Sequence, residues 1–324
     1  MRPVLTPSYP AGDAERDRWI LARRPARETL DPLRPYAFLV EQEYSATKEV
    51  VPVATVFLTN RECPWRCLMC DLWRNTLTEK LPIGAIPRQI DYALAQLPPA
   101  RQIKLYNSGS FFDPGAIPLE DYPAIAARAN LFERTIVESH PSLINQNCFN
   151  FRDQLSNQLE VAMGLETAHP EILKRLNKRI DLDQFAAASR RLRSNGIDLR
   201  VFILVQPPFM KPHEALDWAK RSLDFAFDCG AAAATLIATR AGNGAMEALA
   251  QLGEFSPPPL HTVEAAASYG LGLQRGRVFV DLWDLHSAAA GCCCRPQRLE
   301  RLQAMNLRQS LPAPIDCPHC KGNS

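Results

Sequence analysis

Three thiols fall within one short stretch, Cys63-Pro64-Trp65-Arg66-Cys67-Leu68-Met69-Cys70. The Cys-x3-Cys-x2-Cys spacing puts three soft sulfur ligands on a locally curved piece of backbone, and such ligands favour iron–sulfur clusters, zinc or cuprous copper. Three ligands leave a coordination position open. On a four-iron cube the protein would hold three irons, and an exogenous chelate could take the fourth. A zinc knuckle short of one ligand is the rival reading, weakened by the four protein ligands that structural zinc usually takes. A second group of thiols, Cys292, Cys293 and Cys294, precedes the Cys-x2-Cys pair Cys317 and Cys320. That pair is a metal half-site, which Cys292 and Cys294 would complete. Structural zinc, a second iron–sulfur cluster and free or redox-active thiols are all open there.

Composition narrows the setting. Eight of the ten cysteines fall in those two groups, leaving Cys148 and Cys229 as small buried hydrophobes. Disulfide scaffolds belong to small secreted chains, whereas this chain has 324 residues and no apolar run in Met1 to Arg34. Metal chemistry in a reducing, cytoplasmic compartment is the expectation. No segment reaches the ~18 uninterrupted apolar residues of a membrane span, so no membrane partner is expected. Basic and acidic residues number 37 and 35, for a net charge of +2. An RNA substrate would therefore need a local patch or a partner subunit to bring it.

Elements must place the first thiol loop. It follows Val51 to Leu58, an apolar, β-branched run that reads as a buried strand. Strand patterns recur at Gln102 to Tyr106, Arg134 to Glu138, Leu159 to Gly164, Leu199 to Val205 and Ala233 to Thr239. Helical patterns separate them at Arg88 to Gln96, Leu119 to Asn130, Ser142 to Leu155, Glu171 to Leu176 with Asp183 to Ser194, and His213 to Ala226. Asp181 is placed to cap a helix. Six strand–helix units make a parallel sheet that curls into a partial (β/α)6 barrel of the α/β class, with helices on one face and a packed interior on the other. Residues 1–49 read as an N-terminal extension packing on the barrel, 50–290 as the barrel, and 291–324 as a cysteine-rich metal-binding tail. In the extension, six arginines between Arg16 and Arg34 surround Trp19, Ile20 and Leu21, as on the solvated face of a short helix or a phosphate-binding arm. A further strand, Val278 to Leu282, and a basic amphipathic helix, Pro296 to about Arg308, lead into the tail.

Ligands of parallel sheets gather at the carboxyl ends of strands. Those ends carry Asn107-Ser108-Gly109-Ser110, then Glu138-Ser139-His140, then Gly164-Leu165-Glu166-Thr167, and Arg240-Ala241-Gly242-Asn243-Gly244. The last reads either as a phosphate cradle or as a helix-capping Asn-Gly turn, and Asn107 to Ser110 is also ordinary turn chemistry.

The cysteine spacing, its position after a strand and the Gly-Leu-Glu segment resemble the radical S-adenosylmethionine (radical SAM) superfamily over roughly residues 50 to 245. The resemblance implies that Cys63, Cys67 and Cys70 bind a [4Fe-4S] cluster whose open iron takes SAM. Reductive cleavage then yields a 5′-deoxyadenosyl radical that abstracts hydrogen from a substrate, with electrons from a flavodoxin- or ferredoxin-type donor. It also implies that Glu166, near Lys178 and Arg179, meets the SAM ribose or amino group. A Gly-Gly-Glu-like turn common in the superfamily is missing here, and Asn107, Ser108 and Ser110 stand in its place. Arg240 is a further candidate for SAM or substrate. An aromatic residue that often precedes the third cysteine is replaced by Met69, with Leu72 and Trp73 as substitutes. Patchier runs, including Glu62 to Trp73, Lys104 to Asp113 and Gly253 to Pro258, resemble archaeosine-biosynthesis radical SAM proteins and their bacterial relatives. That likeness implies a modified nucleoside in tRNA and a tRNA-binding or substrate-modifying partner subunit. A small metabolite or peptide substrate, and a zinc or iron–sulfur binding protein without catalysis, are the alternatives.

Overall fold

The computed structural model describes residues 8–283, 285 and 292–321, the last two of these by backbone alone. Eight strands follow in chain order: β1 (Ala37–Tyr44), β2 (Val50–Phe57), β3 (Gln102–Tyr106), β4 (Arg134–Glu138), β5 (Gln158–Glu166), β6 (Asp198–Val205), β7 (Ala233–Ala238) and β8 (Arg277–Asp281). The described helices are α1 (Asp13–Leu21), α2 (Ala85–Leu94), α3 (Tyr122–Ala129), α4 (Gln146–Arg152), α5 (Pro170–Arg175), α6 (Leu182–Ser194), α7 (Ala215–Asp228), α8 (Ala245–Gln251), α9 (Leu260–Gly272), α10 (Arg295–Arg308) and α11 (Pro318–Lys321). The strands pair in sequence order in one curled sheet, a partial barrel. β2 to β8 run parallel, and β1 alone is antiparallel, to β2. The six strands of the expected barrel are β2 to β7, and the further strand expected at Val278 to Leu282 is β8, which joins them as a seventh parallel strand. β1 lies in the stretch assigned to the extension.

Local rules explain the elements. Asp181 accepts from the Gln184 N–H at 2.8 Å while the Gln184 side chain bonds back to the Asp181 N–H, a capping box that starts α6. The single helix expected from Ser142 to Leu155 is instead a short turn followed by α4. His140 Nδ1 takes the Ser142 N–H, and an extended Asn145 caps a new start by accepting from the Asn147 N–H at 3.0 Å. Outward strand positions such as Val56, Ile103, Leu105, Val161, Met163, Val201 and Leu236 are fully buried in the main core with Ile90, Ile125, Phe185 and Leu223 of the covering helices.

The inner face departs from the expected packed interior. Inward positions carry charge: Glu43, Lys104, Glu160, Arg200 and Arg277 are buried, and they form one network. Lys104 meets Glu43 at 2.5 Å and Glu41 at 2.8 Å, while Arg200 bonds Glu43 and Glu160, each at 2.6 Å. Arg277 reaches Glu160 at 2.7 Å, and Arg134 joins Glu160 at 3.1 Å to Asp198 at 2.6 Å. The sequence shows this as one charged residue between two apolar ones, Ile103-Lys104-Leu105 or Leu159-Glu160-Val161, the two-residue period of a half-polar strand.

Helix α10 covers the sheet's outer edge. Val280 and Val278 of β8 exchange bonds of 2.7–2.8 Å with the side-chain amides of Asn306 and Gln309, which take the place of a neighbouring strand. α10 packs on β1 as well, so it spans the gap between the two ends of the sheet.

Burial alone would raise the Glu160 pKa, but Arg200, Arg277 and Arg134 outweigh it and bring it from 4.5 to about 2. A depressed carboxylate contributes stability that is present above pH 4.5 and lost as pH falls toward 2. Glu160→Ala, which leaves three guanidinium groups facing a hole, is expected to cost about 3–5 kcal/mol. Denaturant unfolding at neutral pH measures this, and the mutant's stability should then fall less steeply between pH 4.5 and 2 than that of the wild type.

Candidate functional site

The loop after β2 carries Cys63, Cys67 and Cys70 and is fastened by contacts distant in sequence. The Leu68 N–H bonds Leu176 O at 2.9 Å, and Asn243 Nδ2 donates to Leu68 O at 2.8 Å and Cys70 O at 3.1 Å. Asn177 Nδ2 donates to Arg66 O at 2.7 Å. Asn243 Oδ1 also accepts the Met246 N–H at 2.8 Å, so the Gly242-Asn243-Gly244 turn is a helix cap for α8 that holds the thiol loop.

The N-terminal segment lies over this loop from outside. Trp19 and Ile20 of α1 pack with Leu68, Met246 and Leu249 in a second apolar cluster. Glu62, next to Cys63, receives Arg24 at 2.7 Å, Arg66 at 3.0 Å and Arg27. Arg24 stacks 4.5 Å above Trp73, and Arg16 donates to Lys174 O at 2.9 Å. Arg16, Arg24 and Arg27 hold protein partners, so the segment is a strap over the loop. Trp73 is buried beneath it, whereas Leu72 faces the barrel cavity. Met69 packs against two apolar clusters, that of Leu68 and Met246 and that of Leu176 and Leu204.

The thiols sit in a desolvated setting. Burial pushes the Cys70 thiol up to about 12, and it raises Cys67 and Cys63 as well. Such sulfurs become thiolates only beside compensating positive charge, and a bound metal supplies it. One cation is already placed: Lys178 pairs with Glu166, and both act on Cys67. Burial works against the Lys178 ammonium, but Glu166 and Cys67 outweigh it and hold its pKa above the ordinary lysine value. Gly164 makes the room, since a Cβ there would run into Glu166 Oε1 and Lys178 Nζ. A β-bulge between Gly164 and Glu166 re-aims the Glu166 side chain, and its φ of +67° is a left-handed value rarely taken by glutamate.

The turn after β3 approaches closely. A Cβ on Gly109 would stand 3.1 Å from Cys63 Cβ. Asn107 is fully buried, and neither end of its side-chain amide has a hydrogen-bond partner. Its N–H, and that of Gly109, donate to Glu138 Oε1 at 2.7 and 3.4 Å. Ser110 is turned away, its Oγ accepting the His140 N–H at 2.8 Å, while Ser108 Oγ bonds the Tyr36 hydroxyl at 2.9 Å. His140 stacks on Trp65 with centroids 3.8 Å apart and donates from Nε2 to Lys178 O at 2.9 Å. Burial and the Lys178 charge lower its pKa to about 3, so the ring is neutral.

A cavity of about 930 Å³ opens inside the barrel above the charged network. Ser108, Glu138, Asp71, Arg240, Tyr36 and Trp283 contribute to its wall, and Arg240 bonds Asp71 at 3.0 Å. Of the five expected SAM contacts, Ser108 and Arg240 face this cavity, whereas Asn107 and Glu166 stand at the thiol loop. Sequence reading missed Tyr36, Glu138 as a backbone clamp, and the Trp65–His140 stack. Tyr36 precedes the overlooked β1, and the other two depend on contacts far apart in the chain.

In the tail, Cys292, Cys294 and Cys317 gather with sulfurs within 4.8 Å of one another. Cys293 is exposed, and the side chain of the fourth expected ligand, Cys320, lies outside the described residues. Among the described residues no helix is long and apolar enough to cross a membrane.

No family model matches the chain. An uncharacterised protein of Methanocaldococcus jannaschii is 22% identical over 88% of this chain and 84% of its own length. Archaeosine synthase subunit beta of Methanosarcina acetivorans is 26% identical over 64% of each chain, so the match spans just under two thirds of that relative. Among solved structures, archaeal Elp3 of Methanocaldococcus infernus aligns with a TM-score of 0.51 at 15% identity, over 68% of this chain and 59% of that one. A radical SAM methyltransferase from Sphaerobacter thermophilus aligns at 14% identity over 76% and 77% of the two chains, with a TM-score of 0.47. The chain resembles the radical SAM superfamily.

Trp19→Ala removes the largest side chain of the strap and is expected to cost about 3–5 kcal/mol. Hydrogen exchange locates the effect: the Leu68 amide should lose protection by a larger factor than amides of β5 and β6. Equal loss at all three would show that the strap does not secure the loop.

Proposed function

We propose that this chain is a radical SAM enzyme in which Cys63, Cys67 and Cys70 hold a [4Fe-4S] cluster. The observation that carries the reading is the juxtaposition of three desolvated thiols with the partnerless Asn107 amide and the Glu166–Lys178 pair, at the strand ends of a partial barrel. When bound, the cluster and SAM together supply one-electron cleavage and a 5′-deoxyadenosyl radical that takes hydrogen from a substrate.

The chain's own residues bind, orient and exclude water. Asn107 offers a buried donor and acceptor to the methionyl end of SAM, on a turn that Glu138 clamps through two N–H groups. Glu166 accepts from polar groups of SAM while Lys178 pairs with it beside the thiols. The strap of Trp19, Ile20 and Arg24 keeps solvent off the outer side of the loop. Substrate occupies the cavity, whose wall includes Arg240, Asp71 and Trp283.

A modified nucleoside in tRNA is the proposed substrate, supported by the archaeosine synthase beta relative and by the resemblance over Glu62 to Trp73 and Gly253 to Pro258. A partner subunit then supplies most of the RNA contact, because the net charge of +2 gives this chain little hold on phosphates. The electron donor is of the flavodoxin or ferredoxin type.

Anaerobic reconstitution should load about four irons at this site, and reduction in the presence of SAM should release 5′-deoxyadenosine. Cys67→Ala should abolish both. Continued production of 5′-deoxyadenosine by that variant, or a wild type that binds zinc alone, would overturn the reading. Asn107→Ala should keep its iron and raise the KM for SAM by roughly tenfold, the worth of one charge-assisted hydrogen bond. Filter binding to tRNA across a salt series, with and without a candidate subunit, tests the substrate; no salt-dependent binding in either case would remove the nucleic-acid reading.

A further inference from the structure

We propose that Cys292, Cys294 and Cys317 hold one structural zinc ion that pins the tail to α10 and so closes the side of the barrel. The site is separate from the radical-generating loop and does not depend on its chemistry.

Geometry selects a single ion over a second cluster. The three sulfurs lie within 4.8 Å of one another, and Cys292 and Cys317 are 3.4 Å apart. A tetrahedral zinc with Zn–S bonds of about 2.3 Å spaces its sulfurs about 3.8 Å apart. In a cubane each thiolate points outward from its own iron, so its sulfurs stand wider apart than the ligands of one ion. Three sulfurs this close converge on one centre.

The surroundings suit thiolates. Cys294 and Cys317 are each 5% exposed. Arg298 donates from Nε to Cys294 Sγ at 3.2 Å, and it is itself fixed by Glu264 and by Ile315 O at 3.3 Å. A guanidinium held in this way stabilises coordinated sulfur, as partners behind metal ligands commonly do. Each thiol gives its proton to solvent as the ion binds. The fourth position expected from the Cys-x2-Cys spacing, Cys320, has a side chain outside the described residues.

The site also has a mechanical consequence. Cys294 stands just before the first turn of α10, and Cys317 sits where the tail returns along that helix, guided by Arg301, which donates to Ala313 O at 2.9 Å. Further along, Asn306 of α10 covers the β8 edge and contributes to the cavity wall. Fixing the tail to the first turn fixes the helix that seals the barrel.

The test uses the full-length chain carrying Cys63→Ala, Cys67→Ala and Cys70→Ala, so that any metal bound belongs to the tail. Elemental analysis should find about one zinc per chain, which Cys292→Ser or Cys317→Ser lowers at least tenfold and Cys293→Ser leaves in place. Because a serine variant could simply unfold the tail, cobalt exchange into the folded triple variant gives a second reading: intense visible bands of tetrahedral cobalt with sulfur-to-metal charge transfer. Iron with acid-labile sulfide in that background, a metal-free Cys292–Cys317 disulfide, zinc lost from Cys293→Ser but kept in Cys317→Ser, or weak octahedral cobalt bands would each overturn the assignment.

Discussion

Four cations and four carboxylates meet inside the barrel, and the arrangement works only if it is complete: Lys104, Arg134, Arg200 and Arg277 against Glu41, Glu43, Glu160 and Asp198. Taking the buried members, Glu43, Lys104, Glu160, Arg200 and Arg277, out of water costs several kcal/mol each, and the mutual attraction offsets that cost only when the partners are in reach. The partners come from β1, β3, β4, β5, β6 and β8. A slip of one residue in any of these strands would send its charge to the helix-covered face and strand the others. The network therefore specifies register and curl together. It also explains why the interior is not filled with aliphatic side chains: the charges form a floor, and the space above them stays open.

Beyond that floor the strands end, and their ends carry the candidate site. Ser108, Glu166 and Gln206 stand at or just beyond the ends of β3, β5 and β6, all with positive φ. Each such backbone costs roughly 1–3 kcal/mol and persists only where its surroundings over-determine it. Here they do. Glu166 is held by Lys178, Ser108 by Tyr36 just before β1, and Gln206 by Ser256 at 2.8 and 2.9 Å. The thiol loop is then hung across these ends by side chains from Asn177 and Asn243, so its shape is set by the barrel rather than by its own short sequence.

Much of this was legible. The apolar runs of β2 to β7, the Asp181 cap and the cysteine spacing are local signals, and local signals survive in a single chain of letters, whereas the inner face, expected to be a packed apolar interior, is charged. β1 was not legible for a physical reason. Its two glutamates make Ala37 to Tyr44 look like a polar lead, yet Glu41 and Glu43 point inward because Lys104 and Arg200 await them, and neither neighbour is near in sequence. The same holds for Glu138, whose value lies in accepting two N–H groups from a turn on another strand. Ser110 shows the converse: a hydroxyl at a strand end reads as a ligand contact until the β4 loop is seen to use it.

A partial barrel has two exposed edges, and unprotected edges invite pairing with other chains. The edge at β8 is met by α10, whose Asn306 and Gln309 amides supply both donor and acceptor to the strand, as a ninth strand would. A helix with a low share of apolar residues binds weakly through its face alone, so this contact leans on specific polar bonds and on whatever anchors the helix ends. Arg298 and Arg301 anchor one flank through Glu264 of α9. The tail folds back over the same arginines, with Arg301 donating to Pro312 O and Ala313 O and Arg298 to Ile315 O. The cavity boundary is thus decided at two remote places, the charged floor that sets the curl and the closing helix α10, which lines the cavity with Gln303 and Asn306.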